Sequence, residues 1–215
     1  MKLYRKTVSD LLWKSLNTLM TIKEFNSFRL VGGTSLSLQC GHRESIDIDL
    51  FTDAEYGSLD FNLLEEILNN TFPYVDSNEY EVVFGKSFLI GENKDNAIKL
   101  DLFYSQEPFA YPLINAHDIR LAPCEEITAM KFEVIINGGR KKDFWDIHEL
   151  FDRFTLEEMI EFYKTRNPFG ASKQELLDKC IDFSMAESDF LPNCYRKKTW
   201  ELIKLDIEEK VDEIK

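Results

Sequence analysis

The chain has little of what marks an oxidised, membrane-bound or nucleic-acid-coating protein. Its four cysteines, Cys40, Cys124, Cys180 and Cys194, lie far apart with no Cys-x-x-Cys spacing. Reduced thiols in a cytosolic protein are therefore expected. No window reaches the roughly 18 apolar residues of a membrane span. The opening stretch MKLYRKTVSDLLWKSLNTLM has no continuous apolar run, because Asp10, Lys14, Ser15 and Asn17 interrupt it. It does not read as a signal peptide, and a soluble, cytoplasmic location is the expectation. Positive charge is scarce: 26 Lys and Arg stand against 39 Asp and Glu, for a net charge of -13. That excludes a generally basic nucleic-acid binder, so any nucleic acid must be met at a local basic patch or at a site offset by metal ions. Internal repeats and low-complexity runs are missing, and no Ser-His-Asp or Cys-His spacing argues for covalent catalysis.

What is present suits one large domain or two small ones: 215 residues, 44% apolar, with 17 Phe for a core. Val8, Leu11, Leu12, Leu16, Leu19 and Met20 recur at helical spacing, which predicts an amphipathic helix over 8–24, with Thr7 and Asp10 at its start. A short strand at Phe28–Val31 breaks at Gly32-Gly33, and 34–41 fits a two-turn helix ended by Gly41. Ile46–Phe51 alternates like a strand, Leu59–Asn70 is helical, and Tyr80–Ile90 with Ala97–Tyr104 reads as a hairpin around GENKDN. A strand is expected at 119–121. After Pro123 the pattern turns helical. One helix runs to about Ile136, where Asn137-Gly138-Gly139 stops it, and a second runs over 143–154. Further helices are expected near 156–165, 172–185 and 193–213. The expected organisation is a mixed α/β core over 1–122 and a helical region over 123–215.

The chemistry gathers in LVGGTSLSLQCGHRESIDIDLF, residues 30–51. Strand residues i and i+2 share a face, so Asp47 and Asp49 point together while Ile46, Ile48 and Leu50 face the core. In IKLDLF, residues 98–103, Asp101 stands on the face opposite Ile98, Leu100 and Leu102. If the two strands are neighbours, three carboxylates converge. Like charges this close raise each other's pKa. Mg²⁺ resolves the conflict, because hard cations take oxygen ligands and keep water and substrate phosphates as the rest of their shell. Two such ions can clamp an in-line phosphoryl transfer. Upstream, Gly32-Gly33 feeding a helix offers free backbone N–H groups to phosphate, and Thr34 and Ser35 can add hydroxyls. Each piece also has a plain alternative: a simple turn for the glycines, an exposed edge for the acids. The order of the pieces carries the weight.

That order resembles the nucleotidyltransferase superfamily that includes DNA polymerase β: an apolar strand, Gly-Gly, about a dozen residues, Asp-x-Asp, then a carboxylate on a later strand. Within it, the stretch resembles the AbiEii/AbiGii group of bacterial toxin-like nucleotidyltransferases. ITAMKFEVIINGGRKKDFWDIHELF, residues 127–151, resembles that group's helical motif, in which a Lys precedes a Lys-Asp-x-x-Asp cluster. The resemblance covers residues 28 to about 152. It implies a polymerase β-like α/β (α+β) fold with a mixed sheet and a C-terminal helical region contributing Lys131 and Asp146. It implies Mg²⁺-dependent transfer of a nucleoside monophosphate from an NTP to a hydroxyl. Asp47, Asp49 and Asp101 would be the metal-binding and catalytic acids, and Gly32, Gly33, Thr34 and Ser35 the β,γ-phosphate site. Lys131 would meet the leaving pyrophosphate. A tRNA 3′ end or another RNA as acceptor, a toxin role and a separate antitoxin protein follow from the same resemblance.

Other residues stay open. Asp143 and Asp146 share a helix face, but Asp143 also suits a helix N-terminus and Asp146 an i,i+4 pair with Lys142. Arg140-Lys141-Lys142 is either a solvated run or a grip on phosphate. Arg43 can pair with Glu44 or reach phosphate. His148 suits packing, and His42 and His117 show no partner pattern. Two other functions compete. One is an inert binding module on the same fold. The other is an aspartyl-phosphate phosphatase, against which Phe51 stands where that class carries Thr or Val.

Overall fold

The computed structural model describes residues 1–77 and 84–215. Ser9 caps the first helix, α1 (Asp10–Thr21), by accepting from the Leu12 N–H. The cap is thus Ser9 and not Thr7, whose hydroxyl instead donates to the Tyr4 carbonyl. The strands are β1 (Arg29–Leu30), β2 (Ile48–Thr52), β3 (Tyr74–Ser77), β4 (Gly85–Asn93), β5 (Asn96–Tyr104), β6 (Ile114–Ala116) and β7 (Ile119–Leu121). They form one mixed sheet in the order β3-β4-β5-β2-β1-β7-β6. β2–β5 and β1–β7 are parallel, and the other pairings are antiparallel.

The expected hairpin exists, and its strands close through most of GENKDN, leaving Lys94 and Asp95 at the turn. The part of its first strand assigned to 80–83 lies outside the described residues. β3 and β6 were not expected from the sequence; both are short and lie at the sheet's edges.

One sheet face packs on α1 and on α3 (Phe61–Thr71). Ile48, Leu50, Leu100 and Leu102 are fully buried there against Leu12, Leu16, Leu64 and Leu68. Ile46 does not join them. It lies before β2 begins and is 66% exposed. Asp47 likewise precedes the strand.

The other face meets the helical half: α2 (Gly32–Cys40), α4 (Cys124–Ile136), α5 (Lys141–Leu150), α6 (Leu156–Arg166), α7 (Lys173–Cys180) and α8 (Trp200–Asp212). Pro123 stands at the N-cap of α4, just outside the helix, with Glu125 and Glu126 in its first turn. α5 starts two residues earlier than the sequence suggested, because Asp143 closes a capping box onto the Arg140 N–H. A second apolar cluster joins Val31, Leu36 and Cys40 of the early chain to Phe132, Phe144, Trp145 and Trp200. Trp145 and Trp200 stack with centroids 5.7 Å apart. α2 thus ties the sheet to the helices. No helix among the described residues is long and apolar enough to cross a membrane.

Candidate active site

The glycine pair is the first turn of α2 and not a turn ahead of it. Its N–H groups therefore have no carbonyl within the helix to meet. Both glycines are required by close approach. Gly32 has φ +65°, and a Cβ there would stand 2.6 Å from Asp49 Oδ2. A Cβ at Gly33 would overlap the Arg43 guanidinium. A side chain at either position would push away the groups that line the cavity.

Parallel pairing sets Asp49 directly beside Asp101, and β2's alternation turns Asp49 and Phe51 away from the core. Asp49, only partly exposed, has its pKa pushed up to about 6 by burial and by Asp101 and Asp47, against the pull of Lys131 and Lys142. Asp101 is held by Ser87 Oγ at 2.6 Å and Lys99 Nζ at 2.6 Å. Asp47 lies 4.0 Å from Lys142 Nζ.

Among the described residues, no three carboxylate, histidine or cysteine groups converge as a closed metal cage. An Mg²⁺ site does not need one, since one or two carboxylates with substrate phosphates and water suffice. An all-oxygen donor set whose central acid carries unmet negative charge fits a hard cation. Asp47 and Asp49 line the cavity, and Asp101 sits behind Asp49.

The facing wall is built from opposite charges that are fully matched. Lys131 Nζ donates to Asp143 Oδ1 at 2.6 Å and lies 2.7 Å from Asp146 Oδ2. Burial alone would lower the Lys131 pKa, but Asp146 and Asp143 outweigh it and hold the ammonium charged. Arg43 forks onto Asp146 through Nε and Nη2, each at 2.7 Å, and His42 Nε2 meets the same carboxylate at 2.8 Å. Burial would raise the Asp146 pKa, but Arg43 and Lys131 drive it well below the usual carboxylate range. Asp146 is fully buried and does not reach the cavity. Its partners Lys131 and Arg43 do. The i,i+4 pair with Lys142, the plain alternative for Asp146, is not formed; Lys142 turns to Asp47 instead.

These residues line one open cavity of about 850 Å³, with Gly32, Gly33, Asp47, Asp49, Arg43, Lys131, Arg140 and Lys142 at one end. Thr34 and Ser35 do not face it. Thr34 Oγ1 bonds to Ser45 Oγ and to the Asp47 carbonyl, and Ser35 Oγ donates to the Ala122 carbonyl at 3.2 Å. Both hydroxyls are buried and serve the packing of α2, so only backbone from this turn remains for phosphate. The basic run also divides. Arg140 and Lys142 face the cavity, while Lys141 is buried, its Nζ donating to the Glu187 and Asp189 carbonyls at 2.9 Å. His148 is not simple packing: its Nε2 meets Asp206 Oδ2 at 2.6 Å, away from the cavity.

Sequence reasoning left the partner of Arg43 open and did not see that of His42. Asp146 lies 103 residues from Arg43, and nothing in linear spacing announces that contact. It gave no site role to Phe51 and Phe103, which share strand faces with Asp49 and Asp101 and line the cavity. The period-2 rule puts each ring on the face of its acid, which was the signal for a site role.

The chain is 27% identical over 163 residues to the uncharacterized protein aq_aa25 of Aquifex aeolicus (strain VF5), covering 71% of this chain and 72% of that one. It superposes on JHP933 from Helicobacter pylori with TM-score 0.56 and 18% identity, over 96% of this chain and 93% of that chain. It superposes on MenT4, a nucleotidyltransferase toxin from Mycobacterium tuberculosis H37Rv, with TM-score 0.56 and 13% identity, over 92% and 84%. At these identities the two structures speak for the fold alone. The model of the nucleotidyl transferase AbiEii toxin family, of type IV toxin–antitoxin systems, matches residues 14–213, and the chain belongs to that family.

Proposed function

We propose that this nucleotidyltransferase is Mg²⁺-dependent and moves a nucleoside monophosphate from an NTP to a hydroxyl at an RNA end, a tRNA 3′ end being the first to test. One observation carries the reading: the pairing that sets Asp49 beside Asp101, directly under the glycine-opened N-terminus of α2. Asp47 and Asp49 would hold the divalent ions, with Asp101 behind them. When bound, Mg²⁺ supplies Lewis-acid stabilisation of the attacking and leaving oxygens.

The chain's own groups do the rest. The N–H groups of Gly32 and Gly33 meet the anionic end of the triphosphate. Lys131 and Arg43, held charged by Asp146, stand ready for charge that builds on the departing pyrophosphate. Arg140 and Lys142, held only by loose pairs with Asp143 and Asp47, stand at the rim, placed to meet phosphate as forked and mobile donors. Asp101, paired with Asp49 across β2 and β5, would complete the ion site and help take the acceptor proton once Ser87 or Lys99 releases one of its oxygens. In this division of labour, residues 1–122 bring the carboxylates and 123–215 bring Lys131 with the Asp146 that holds it. The family description supplies the toxin role and, with it, a protein antitoxin as partner.

The test is incubation of the protein with Mg²⁺, each labelled NTP in turn and total cellular RNA, resolved by size. One labelled RNA class is expected, and its loss in Asp49→Ala. Undiminished transfer by the Asp47→Ala/Asp49→Ala double variant would sink the assignment.

A further inference from the structure

The cavity has a second end that the phosphate chemistry does not use. Along β2 and β5 the carboxylates are each followed, two residues on and on the same face, by a ring: Asp49 by Phe51, Asp101 by Phe103. Register sets Phe51 beside Phe103, with ring centroids 5.9 Å apart and planes tilted by 48°. Two residues along a strand advance roughly 6.6 Å, about the reach of one sugar from a phosphate. Gly85 pairs with Phe103, and a Cβ there would stand 2.6 Å from Phe103 Cδ1, so the strand beside the ring is cleared for it.

The opposite wall is α4. Met130 and Val134, one turn apart, face the rings, while Lys131 of the same helix serves the charged end. Phe84 at the rim is 60% exposed and Val134 is 41% exposed. The main polar group nearby is already occupied: Arg166 donates to Glu126 Oε1, Glu133 Oε2 and Ser105 Oγ. What remains open to a ligand is a slot lined mainly by apolar side chains and joined to an anion site.

We infer that this slot takes the nucleobase of the NTP, stacked on Phe51 and Phe103 and covered by Met130 and Val134. The inference rests on the nucleotidyltransferase reading and adds the residues that grip the base. A ring sandwiched between an aromatic floor and an aliphatic lid gains dispersion and loses exposed apolar area on both sides. It also fixes the distance between base and α-phosphate, because the rings and the carboxylates sit on the same two strands.

The experiment is calorimetric titration, with Mg²⁺ present, of each of the four NTPs and of inorganic tripolyphosphate into the full chain and into Phe51→Leu and Phe103→Leu. Leu keeps apolar bulk and removes the stacking face, and thermal melting checks folding. The tightest NTP should weaken about tenfold or more in each variant, with tripolyphosphate unchanged. An unchanged NTP affinity, or equal losses for NTP and tripolyphosphate, would overturn the base slot and leave the transferase reading standing. A wild-type chain that binds neither ligand would take down both. Should the Phe variants fail to fold, Val134→Ser, at an exposed position, carries the same expectation at about three- to fivefold.

Discussion

The two walls of the cavity handle charge in opposite ways. On the sheet side, Asp49 is crowded by Asp47 and Asp101, and its pKa is lifted to about 6. On the helical side, Arg43, Lys131, Asp143 and Asp146 form a closed, buried set in which Asp146 is held far below the usual carboxylate range. The first wall lacks a cation that a ligand can bring. The second is paired within itself, and Asp146 in it is the scaffold for Lys131 and Arg43. On the proposed function, unmet charge marks where substrate and ions would bind, and matched charge marks what holds the cations in place.

The largest effect should come from removing the unmet charge. Asp49→Asn is expected to cut nucleotidyl transfer about 10³-fold or more, since it removes an ion-binding acid that acts at the charge developing in the reaction. The same variant should be more stable than the wild type in the absence of Mg²⁺ and nucleotide. The sign follows from the shift. A folded-state pKa near 6, above the free carboxyl value, favours the protonated form. Its contribution to stability is present below about pH 4 and is lost as pH rises through 6. Above pH 6 the wild type should carry a penalty of about 3 kcal/mol that Asn escapes. Urea melts of both proteins at pH 4.5 and pH 7.5 check this. A wild type as stable as the variant at pH 7.5 would mean that Asp49 is already neutralised from within the chain.

Breaking the matched wall should act on stability first. Asp146→Asn strips the fork from buried Arg43 and leaves it short of a counter-charge, at a cost of about 3–5 kcal/mol. Transfer should fall as well, because Lys131 and Arg43 lose their common anchor. A fully stable Asp146→Asn protein would show that the two walls are not built on different principles.

The basic run separates the two roles at single-residue scale. Lys142→Met should leave the melting temperature unchanged and weaken binding of NTP and tripolyphosphate alike by about five- to tenfold, as loss of one partly screened phosphate contact would. Lys141→Met should cost about 1–3 kcal/mol, because the part-buried carbonyls of Glu187 and Asp189 lose their donor. Its effect on binding should be small. Paired melts and titrations of the two variants read this directly.

How far the sequence could see follows the same division. Local rules placed Asp49, Asp101, the glycine-opened helix and α4, because strand alternation, glycine geometry and helix capping act over a few residues. They failed for the anchoring of Asp146, since its contacts with His42 and Arg43 join positions over 100 residues apart. Thr34 and Ser35 show a subtler limit. Their hydroxyls looked available beside a phosphate turn, and local pattern did not show that Ser45, the Asp47 carbonyl and the Ala122 carbonyl occupy them.

Ile46 gives the smallest and sharpest comparison. By alternation it belongs with Ile48 and Leu50 in the core, yet it is 66% exposed where they are fully buried. The chain bends out just before β2 because Thr34 and Ser45 gather the segment against the start of α2, with Thr34 bonded to the Asp47 carbonyl. That bend frees Asp47 from the strand and sets its carboxylate on the cavity, near Lys142. Ile46→Ser should therefore change stability by no more than about 0.5 kcal/mol. Ile48→Ala, two residues on, should cost about 2–5 kcal/mol through the cavity it leaves. Chemical denaturation of the two variants measures the difference. Equal, large losses would put Ile46 back in the core and Asp47 back on the strand, and the approach of Asp47 to the cavity from outside the sheet would fall with them.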